Sequence, residues 1–264
     1  MLSYVLRRLL SAIPTLFIIV TAAFFMMRVA PGGPFDQERT REATGMANLN
    51  ATFGLDKPLW QQYMIYLGNL FQGDMGPSFI YRDVRVHEIL GDGLPVSMQL
   101  GGTALLIAVI VGSFLGTIAT LRQTTATDFG VIAIATFGIT VPNFVVAPVL
   151  SLVFAVALSW LPAQGWGDWN QMILPVVALS LPQIAIVTRL IRGSMIEALR
   201  SDHVRTARAF GLPNRMVVIK HALRAAILPV VSYLGPAAAA LLPGSIGVAK
   251  VSNLPGLGRP AGGW

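Results

Sequence analysis

Side chains able to ligate a metal, attack a substrate or hold a phosphate are few in this sequence and lie far apart. The chain has no cysteine, and its histidines, His87, His203 and His221, fall in three different segments without partners at metal-ligand spacing. A G-x-x-x-x-G-K-[ST] phosphate loop is absent, and no lysine follows a glycine-rich turn. The sequence therefore predicts no metal site, no catalytic residue and no ATPase site, so that the chain is not itself an enzyme.

The composition is that of a membrane protein. Hydrophobic residues make up 54% of the 264 residues and charged residues only 12%, against about 25% charged in typical soluble domains. A net charge of +7 would suit a nucleic acid. In a membrane protein, however, an excess of basic residues is explained by their enrichment in cytoplasmic loops, which sets the orientation in the membrane. We therefore expect no nucleic-acid partner.

Five apolar runs are free of charge and long enough to cross about 30 Å of hydrocarbon as helices. They are Leu9–Met27, Val96–Leu121, Phe129–Leu161, Gln171–Thr188 and Ala225–Ala249. The predicted fold class is therefore all-α, a polytopic membrane protein with five transmembrane helices in this chain. The third run is longer than one straight span requires and contains Pro142, Asn143 and Pro148, which predicts either a kink or an outer end that lies partly in the membrane interface. The absence of ionisable residues inside the runs argues against ion-coupled transport and intramembrane hydrolysis, and no substrate-binding residue can be singled out.

The distribution of Lys and Arg predicts a cytoplasmic N-terminus, because eleven of the nineteen basic residues then fall in cytoplasmic segments. The first apolar run is longer than the core of a secretory signal, so we interpret it as an uncleaved anchor. The predicted organisation is an N-terminal anchor at 1–28, an extracytoplasmic subdomain at 29–95, a transmembrane core at 96–249 and an extracytoplasmic tail at 250–264. Within the core, a cytoplasmic loop covers 189–224 and is called the 189–224 segment below.

Two further patterns predict helix contacts. Leu59, Tyr63, Tyr66, Leu67 and Leu70 have the spacing of an amphipathic helix whose first turn would contain Pro58. This outer helix either belongs to a surface that receives a delivered substrate or simply packs as a cap. Gly112-x-x-x-Gly116 predicts a face on which another helix packs closely.

The 189–224 segment has the pattern of a helix, a tight turn and a second helix. Apolar or small residues recur at three- and four-residue steps, namely Ile196, Leu199, His203, Ala207 and Phe210. Gly211 is expected to end the first helix in a left-handed conformation. Pro213 follows, and Asn214 is expected to cap a second helix from Arg215 to Arg224.

Three functions are compatible with this basic helical segment. It can contact lipid head groups, or it can bind DNA as a helix-turn-helix, a shape that tethering to two membrane spans disfavours. Alternatively, it can fit a groove on a cytoplasmic partner, with the Gly-Pro turn fixing its angle so that motion of the partner reaches the spans.

The motifs favour the third alternative through a resemblance. Arg205-Thr206-Ala207, followed by three residues and Gly211, resembles the EAA loop of binding-protein-dependent ABC permeases in the RTARAxGLP form of peptide permeases. Further matches occur in the expected order: FFMMRVAPGGPF at 24–35, PNFVVAP at 142–148, GSMIEALRSDHVRTARAFGLPNR at 193–215, HALRAAILPVVSYLGP at 221–236 and LPGLG at 254–258. The chain thus resembles the first of the two integral membrane subunits of oligopeptide ABC importers, up to about Arg259.

The resemblance implies a MetI-like ABC permease core, of six spans in the family, in the inner membrane of a bacterium. It implies as partners a second homologous permease subunit, two ABC ATPase subunits that bind ATP and Mg, an extracytoplasmic peptide-binding protein and membrane lipid, with no cofactor in this chain. The implied function is to move oligopeptides across the inner membrane. The residues implied to couple the ATPases to the spans are Glu197, Arg205, Thr206, Ala207, Gly211, Leu212 and Pro213.

The sequence leaves the cargo open. Permeases for dipeptides, glutathione or a nickel complex share this loop. After LPGLG the family continues with a sixth span, whereas this chain continues with RPAGGW. We therefore expect either a truncated C-terminus or last residues that are not native to the family. A membrane protein that no longer transports is therefore the alternative from a different functional class.

Overall fold

A computed structural model of the chain describes residues 2–29, 57–76 and 84–251. The secondary structure assigned in these ranges is helical, which confirms the all-α prediction. The helices are α1 (Leu2–Val29), α2 (Leu59–Phe71), α3 (Val86–Leu121), α4 (Ala126–Thr140), α5 (Asn143–Ala157), α6 (Trp169–Arg200), α7 (Asp202–Ala209), α8 (Asn214–Ala226) and α9 (Leu228–Val251). Helix α5 is π-helical from Ser151 to Ala157, and α8 is π-helical from Val217 to Ala222.

The chain is a multi-pass membrane protein with up to five spans in its described residues. Three helices are long and apolar enough to cross a membrane by themselves: Val5–Arg28 within α1, then α3 and α6. The pairs α4 with α5 and α8 with α9 each pass the same test when a bent pair is counted as one span. On that count the five predicted apolar runs all correspond to helices.

The bend in the third predicted span is sharper than a proline kink. Helices α4 and α5 meet at 102°, and the residues between them, Val141 and Pro142, both have extended backbone angles. A proline disfavours helical angles in the residue before it, which explains why the helix stops at Thr140. The predicted kink is therefore a complete break between two helices.

The last predicted span also begins later than its apolar run. Helices α8 and α9 are bent by 45° at Ile227, so α9 starts at Leu228 and not at Ala225. Pro229 then lies in the first turn of α9, where its missing N–H costs no helical hydrogen bond. In contrast, α6 continues without interruption through Thr188 to Arg200, so the first part of the 189–224 segment extends a span.

The predicted contact at Gly112 and Gly116 is confirmed in α3. A Cβ atom built on Gly116 would lie 2.6 Å from the carbonyl oxygen of Thr188, and one built on Gly112 would lie 2.8 Å from the Cβ of Val187. Both neighbours belong to α6. Helices α3 and α6 therefore pack at a distance that only residues without a side chain permit.

Two compact units make up the chain, Met1–Glu88 and Ile89–Trp264. In the first unit α2 packs on α1, which confirms the predicted amphipathic helix. The buried ring of Phe24 lies 5.3 Å from the rings of both Tyr63 and Tyr66. Pro58 directly precedes the helix instead of occupying its first turn.

The second unit is held by two hydrophobic clusters. One joins α3, α5, α6 and α9 through Leu100, Ala104, Ala147, Val176, Ala178, Leu179, Leu241 and Val248. The other cluster joins α6 to α9 and is described with the functional site. Of the predicted divisions, residues 30–56 and 77–83 of the 29–95 subdomain and 252–264 of the tail lie outside the described residues.

Candidate functional site

The 189–224 segment consists of the end of α6, the short helix α7, a turn and most of α8. Helix α6 ends at Arg200 because Ser201 takes an extended conformation. Ser201 occupies the N-cap position of α7, although its hydroxyl donates to the carbonyl of Ala198 and does not cap the helix. Asp202 suits the positive end of a new helix, so α7 starts directly after the break. The single amphipathic helix predicted from Ile196 to Phe210 is therefore wrong, since a break at Ser201 divides it.

The break changes which residues are buried. Met195 and Ala198 are buried on α6, and Val204 and Ala207 are buried on α7, whereas the predicted positions His203 and Phe210 are exposed. Phe210 has 81% of its surface exposed. The predicted periodicity runs across Ser201 and so treats α6 and α7 as one helix. Because the backbone breaks at Ser201, the buried face of α7 does not continue the buried face of α6.

The turn after α7 has the geometry of a Schellman motif. Gly211 has a φ of +73°, which confirms the predicted left-handed stop. Its N–H donates to the carbonyl of Arg208 at 2.9 Å, and the N–H of Leu212 donates to the carbonyl of Ala207 at 3.4 Å. Since both bonds satisfy carbonyls at the helix end, the direction of the chain leaving α7 is well defined.

Helix α8 starts at Asn214, with Pro213 as the residue before it. The predicted cap at Asn214 is therefore wrong: Asn214 is the first helical residue, and no side chain caps the helix. Pro213 has extended angles, and its carbonyl accepts from the N–H groups of Met216 and Val217 at 2.8 and 3.1 Å. The fixed φ of proline thus sets the start of α8.

The 189–224 segment is packed around a continuous apolar cluster. Its members come from α6, α7, α8 and α9: Val187, Ile191, Met195, Ala198, Val204, Ala207, Val217, Val218, Ala222, Ala226 and Val230. Leu212 and Leu199 pack against it. The π-helical stretch of α8 places the adjacent residues Val217 and Val218 both inward. The short helix α7 is therefore fixed to the spans through Val204 and Ala207.

The residues implied by the resemblance divide into anchors and surface. Ala207 is buried and Leu212 is half-buried, while the others, Glu197, Arg205, Thr206, Gly211 and Pro213, are exposed. The hydroxyl of Thr206 donates to the carbonyl of Asp202 at 2.9 Å. Arg205 and Asp202 approach only to 3.5 Å and are largely exposed, so this ion pair contributes little and both groups stay accessible.

The exposed side of the segment is basic with one aromatic residue at its tip. Arg205, Arg208, Arg215, Lys220 and Arg224 are all exposed, and Phe210 projects at the turn between α7 and α8. An exposed aromatic residue on a rigid, cationic turn is suited to insertion into a partner with an acidic rim.

The sequence did not predict an ion pair that joins this segment to the start of α4. Asp128, at the start of α4, has 2% of its surface exposed. It accepts two hydrogen bonds from Arg192 of α6, Nε–Oδ1 at 2.6 Å and Nη2–Oδ2 at 2.7 Å. Its Oδ2 also accepts from the N–H of Thr124 at 3.1 Å, a residue with a positive φ of 62°. The pair therefore ties the α3–α4 turn to α6.

Within residues 2–29, 57–76 and 84–251, no three side chains of His, Cys, Asp or Glu come together as a metal site. The spans do contain buried polar groups: Gln183 of α6 accepts from the hydroxyl of Tyr233 of α9 at 2.7 Å. This hydrogen bond gives both the hydroxyl of Tyr233 and the side-chain oxygen of Gln183 a partner inside the protein.

Comparison with known proteins gives two family matches that together cover almost the whole chain. Residues 108–262 match the family described as "Binding-protein-dependent transport system inner membrane component". Residues 1–101 match its N-terminal counterpart, described as "Binding-prot-dependent transport system membrane comp, N-term".

Among curated relatives, the oligopeptide transport system permease protein OppB of Escherichia coli (strain K12) is 50% identical over 261 residues, which cover 98% of this chain and 85% of the relative. OppB of Haemophilus influenzae is 47% identical over 260 residues, with the same coverage. The dipeptide transport system permease protein DppB of Bacillus subtilis is 41% identical over 259 residues, covering 98% of this chain and 84% of the relative.

Proposed function

This chain belongs to the family of inner membrane components of binding-protein-dependent transport systems, and we infer that it is the membrane permease subunit of an ATP-driven importer of oligopeptides. The observation that carries this function is the 50% identity to an oligopeptide permease across 98% of the chain. Dipeptide permeases are similar over the same length but at 43% and 41% identity. Oligopeptides are therefore the better supported cargo.

The proposed assembly contains four further components beside this chain. They are a second homologous permease subunit, two ATPase subunits that bind ATP and Mg, and an extracytoplasmic peptide-binding protein. The chain would lie in the inner membrane of a bacterium with its N-terminus in the cytoplasm. The cluster of exposed arginines between Arg200 and Arg224 supports this orientation, because basic residues collect on the cytoplasmic side.

The docking site for an ATPase is the surface formed by α7 and the turn at Gly211. Val204 and Ala207 fix α7 to the membrane helices, and the Schellman bonds hold the turn. A force applied at Phe210 therefore reaches α6 and α9 as motion of a rigid body and not as bending of a flexible loop. This coupling is what an ATP-driven change of access requires.

Co-purification of the tagged chain with its co-expressed ATPase subunits tests the docking site. Phe210→Ala removes an exposed side chain and should leave the fold intact. Buried aromatic anchors contribute about 2 kcal/mol or more at interfaces, so we expect ATPase affinity to fall by a factor of about thirty or more. Phe71→Ala, at another exposed phenylalanine in the other compact unit, is the matched control and should retain the ATPase.

Equal recovery of the ATPase by Phe210→Ala and Phe71→Ala would contradict the docking site while leaving the permease function standing. The cargo is tested separately with the assembled transporter in vesicles. Uptake of a labelled tetrapeptide should be inhibited more by unlabelled tetrapeptide than by dipeptide. Stronger inhibition by the dipeptide would instead favour the alternative cargo.

The absence of cysteine in the wild-type chain makes its orientation directly measurable. Ala209→Cys lies in the proposed docking turn, and Ala163→Cys lies between α5 and α6; both alanines are exposed. In intact spheroplasts, a membrane-impermeant maleimide should label the cysteine at 163 and not the one at 209. Labelling at 209 would place the N-terminus outside.

A further inference from the structure

Helix α2 carries a second apolar face that no described residue of its own compact unit covers. Trp60, Met64 and Phe71 have 67%, 63% and 87% of their surfaces exposed. At 100° per residue these three positions lie on one side of the helix. The whole helix, LWQQYMIYLGNLF, contains no charged residue, which is unusual for a surface helix facing water.

The other sides of α2 have different roles. Gln62 is buried, and Tyr63 and Tyr66 are half-buried where α2 packs on α1. Asn69 is exposed and lies on the side of the helix roughly opposite Trp60 and Phe71. Helix α2 therefore has one face on α1, one exposed apolar face and one exposed polar edge.

The contacts with α1 place α2 at a definite depth. The first membrane span, Val5–Arg28, ends at the charged residue Arg28, whose Nε donates to Oε1 of Gln62 at 2.5 Å. The hydroxyl groups of Thr21 and Tyr63 are 2.6 Å apart. Since a helix rises 1.5 Å per residue, Thr21 lies about 10 Å further into the span than Arg28. Helix α2 thus lies beside the last turns of a membrane helix.

We propose that α2 is an interfacial helix whose Trp60–Met64–Phe71 face is inserted into the boundary between lipid head groups and acyl chains, at the Arg28 end of the first span. Interfacial helices bury their apolar faces by about 5–10 Å, and the contacts of α2 with α1 fall within about 10 Å of Arg28 along the axis of α1. Tryptophan and tyrosine are enriched at this level of a bilayer because their rings are amphipathic.

Lipid suits this face better than a protein partner for two reasons. The face has no charged group that would give a protein partner electrostatic specificity. It also lies at the same end of α1 as Met26 and Met27, which are exposed on a membrane-spanning helix. The exposed apolar residues of α1 and α2 would then form one surface in contact with lipid. This proposal requires only that α1 spans the membrane, and it does not depend on which cargo is transported.

Tryptophan quenching in vesicles tests the position of α2. The full chain carries Trp60 as its one tryptophan after phenylalanine replaces Trp160, Trp166, Trp169 and Trp264. It is purified with co-expressed partner subunits whose tryptophans are replaced in the same way, so that the fluorescence comes from this chain alone. A second probe moves the tryptophan to the same face with Trp60→Phe and Phe71→Trp. The matched control moves it to the polar edge with Trp60→Phe and Asn69→Trp. Each variant is reconstituted with phospholipids brominated near the head of the acyl chain, or with plain lipids and aqueous iodide.

We expect brominated lipid to quench the probes at 60 and 71 several-fold more strongly than the probe at 69, and iodide to show the reverse order. Strong iodide quenching at 60 and 71 would overturn the proposal, because that face would then be in water. Protection of both positions from both quenchers would also overturn it, since a protein would then cover the face. Two probes on one face keep the result interpretable if one variant fails to fold.

Discussion

The contact between α3 and α6 makes Gly116→Ala the most direct test of how the transmembrane core packs. The added Cβ would lie 2.6 Å from the carbonyl oxygen of Thr188 and 2.9 Å from the Cβ of Ile191. Neither atom is the end of a flexible side chain, so the two helices themselves must separate. Gly102, in the same helix, has nothing within 4 Å of the corresponding position, and Gly102→Ala is the matched control.

The expected magnitude follows from comparing the two variants. Replacing glycine by alanine inside a helix stabilises it by roughly 0.5–1 kcal/mol through backbone entropy, and this gain is common to both positions. Overpacking a close contact costs about 1–3 kcal/mol and applies only at Gly116. Gly116→Ala should therefore be less stable than Gly102→Ala by about 1–3 kcal/mol. For a chain of this size that difference lowers Tm by about 2–12 °C.

Thermal unfolding of the purified protein in detergent, followed by tryptophan fluorescence, measures this difference. Both variants are heated at the same rate, because irreversible unfolding makes Tm depend on the scan rate. A Tm for Gly116→Ala equal to or above that of Gly102→Ala would refute the close approach of α3 and α6. A lower Tm for both variants would refute the assignment of Gly102 to an open face.

Two further pairs of substitutions test the 189–224 segment and its ion pair with Asp128 by the same measurement. Asp128→Asn leaves the guanidinium of Arg192 without its carboxylate partner. We expect the free energy of unfolding to fall by about 3 kcal/mol. This is the lower limit for breaking a buried ion pair, and it applies because 28% of the Arg192 side chain is exposed to solvent. Asp202→Asn, at a side chain 97% exposed, should change Tm little, and equal effects of the two would contradict the structural role of the buried pair. Gly211→Val should lower the free energy of unfolding by about 1–2 kcal/mol more than Gly211→Asn, because asparagine tolerates the left-handed conformation and a Cβ there meets nothing within 4 Å. Gly211→Val should therefore have the lower Tm, and similar Tm values would argue against the positive φ.

The predictions from local pattern were correct where one residue or one short spacing determines the outcome. Gly211 ends α7 in a left-handed conformation, because few residues accept that conformation as readily as glycine. Gly112 and Gly116 mark the close contact between α3 and α6, because hydrogen is the smallest side chain. The amphipathic spacing from Leu59 to Leu70 corresponds to α2.

The predictions failed where the outcome depends on a break that apolar periodicity does not mark. The count from Ile196 to Phe210 crosses Ser201, where α6 ends and α7 begins in another direction. Serine is compatible with both a helix and an N-cap. Packing of Val204 and Ala207 on α6 and α8 decides between them, and those contacts involve residues far apart in sequence.

By itself the sequence determined the class of protein, because charge-free apolar runs must cross a membrane as helices. The motifs around Arg205 and Gly211 also indicated the family whose model matches residues 108–262. Only the tertiary structure decided which residues of different helices contact one another. The spacing of Asp128 and Arg192 gives no sign of their pairing, because a buried carboxylate finds its partner through the packing of α4 on α6. The same holds for the second face of α2: its residues are apolar in the sequence, but only the contacts of Gln62 and Tyr63 with α1 show which side remains exposed.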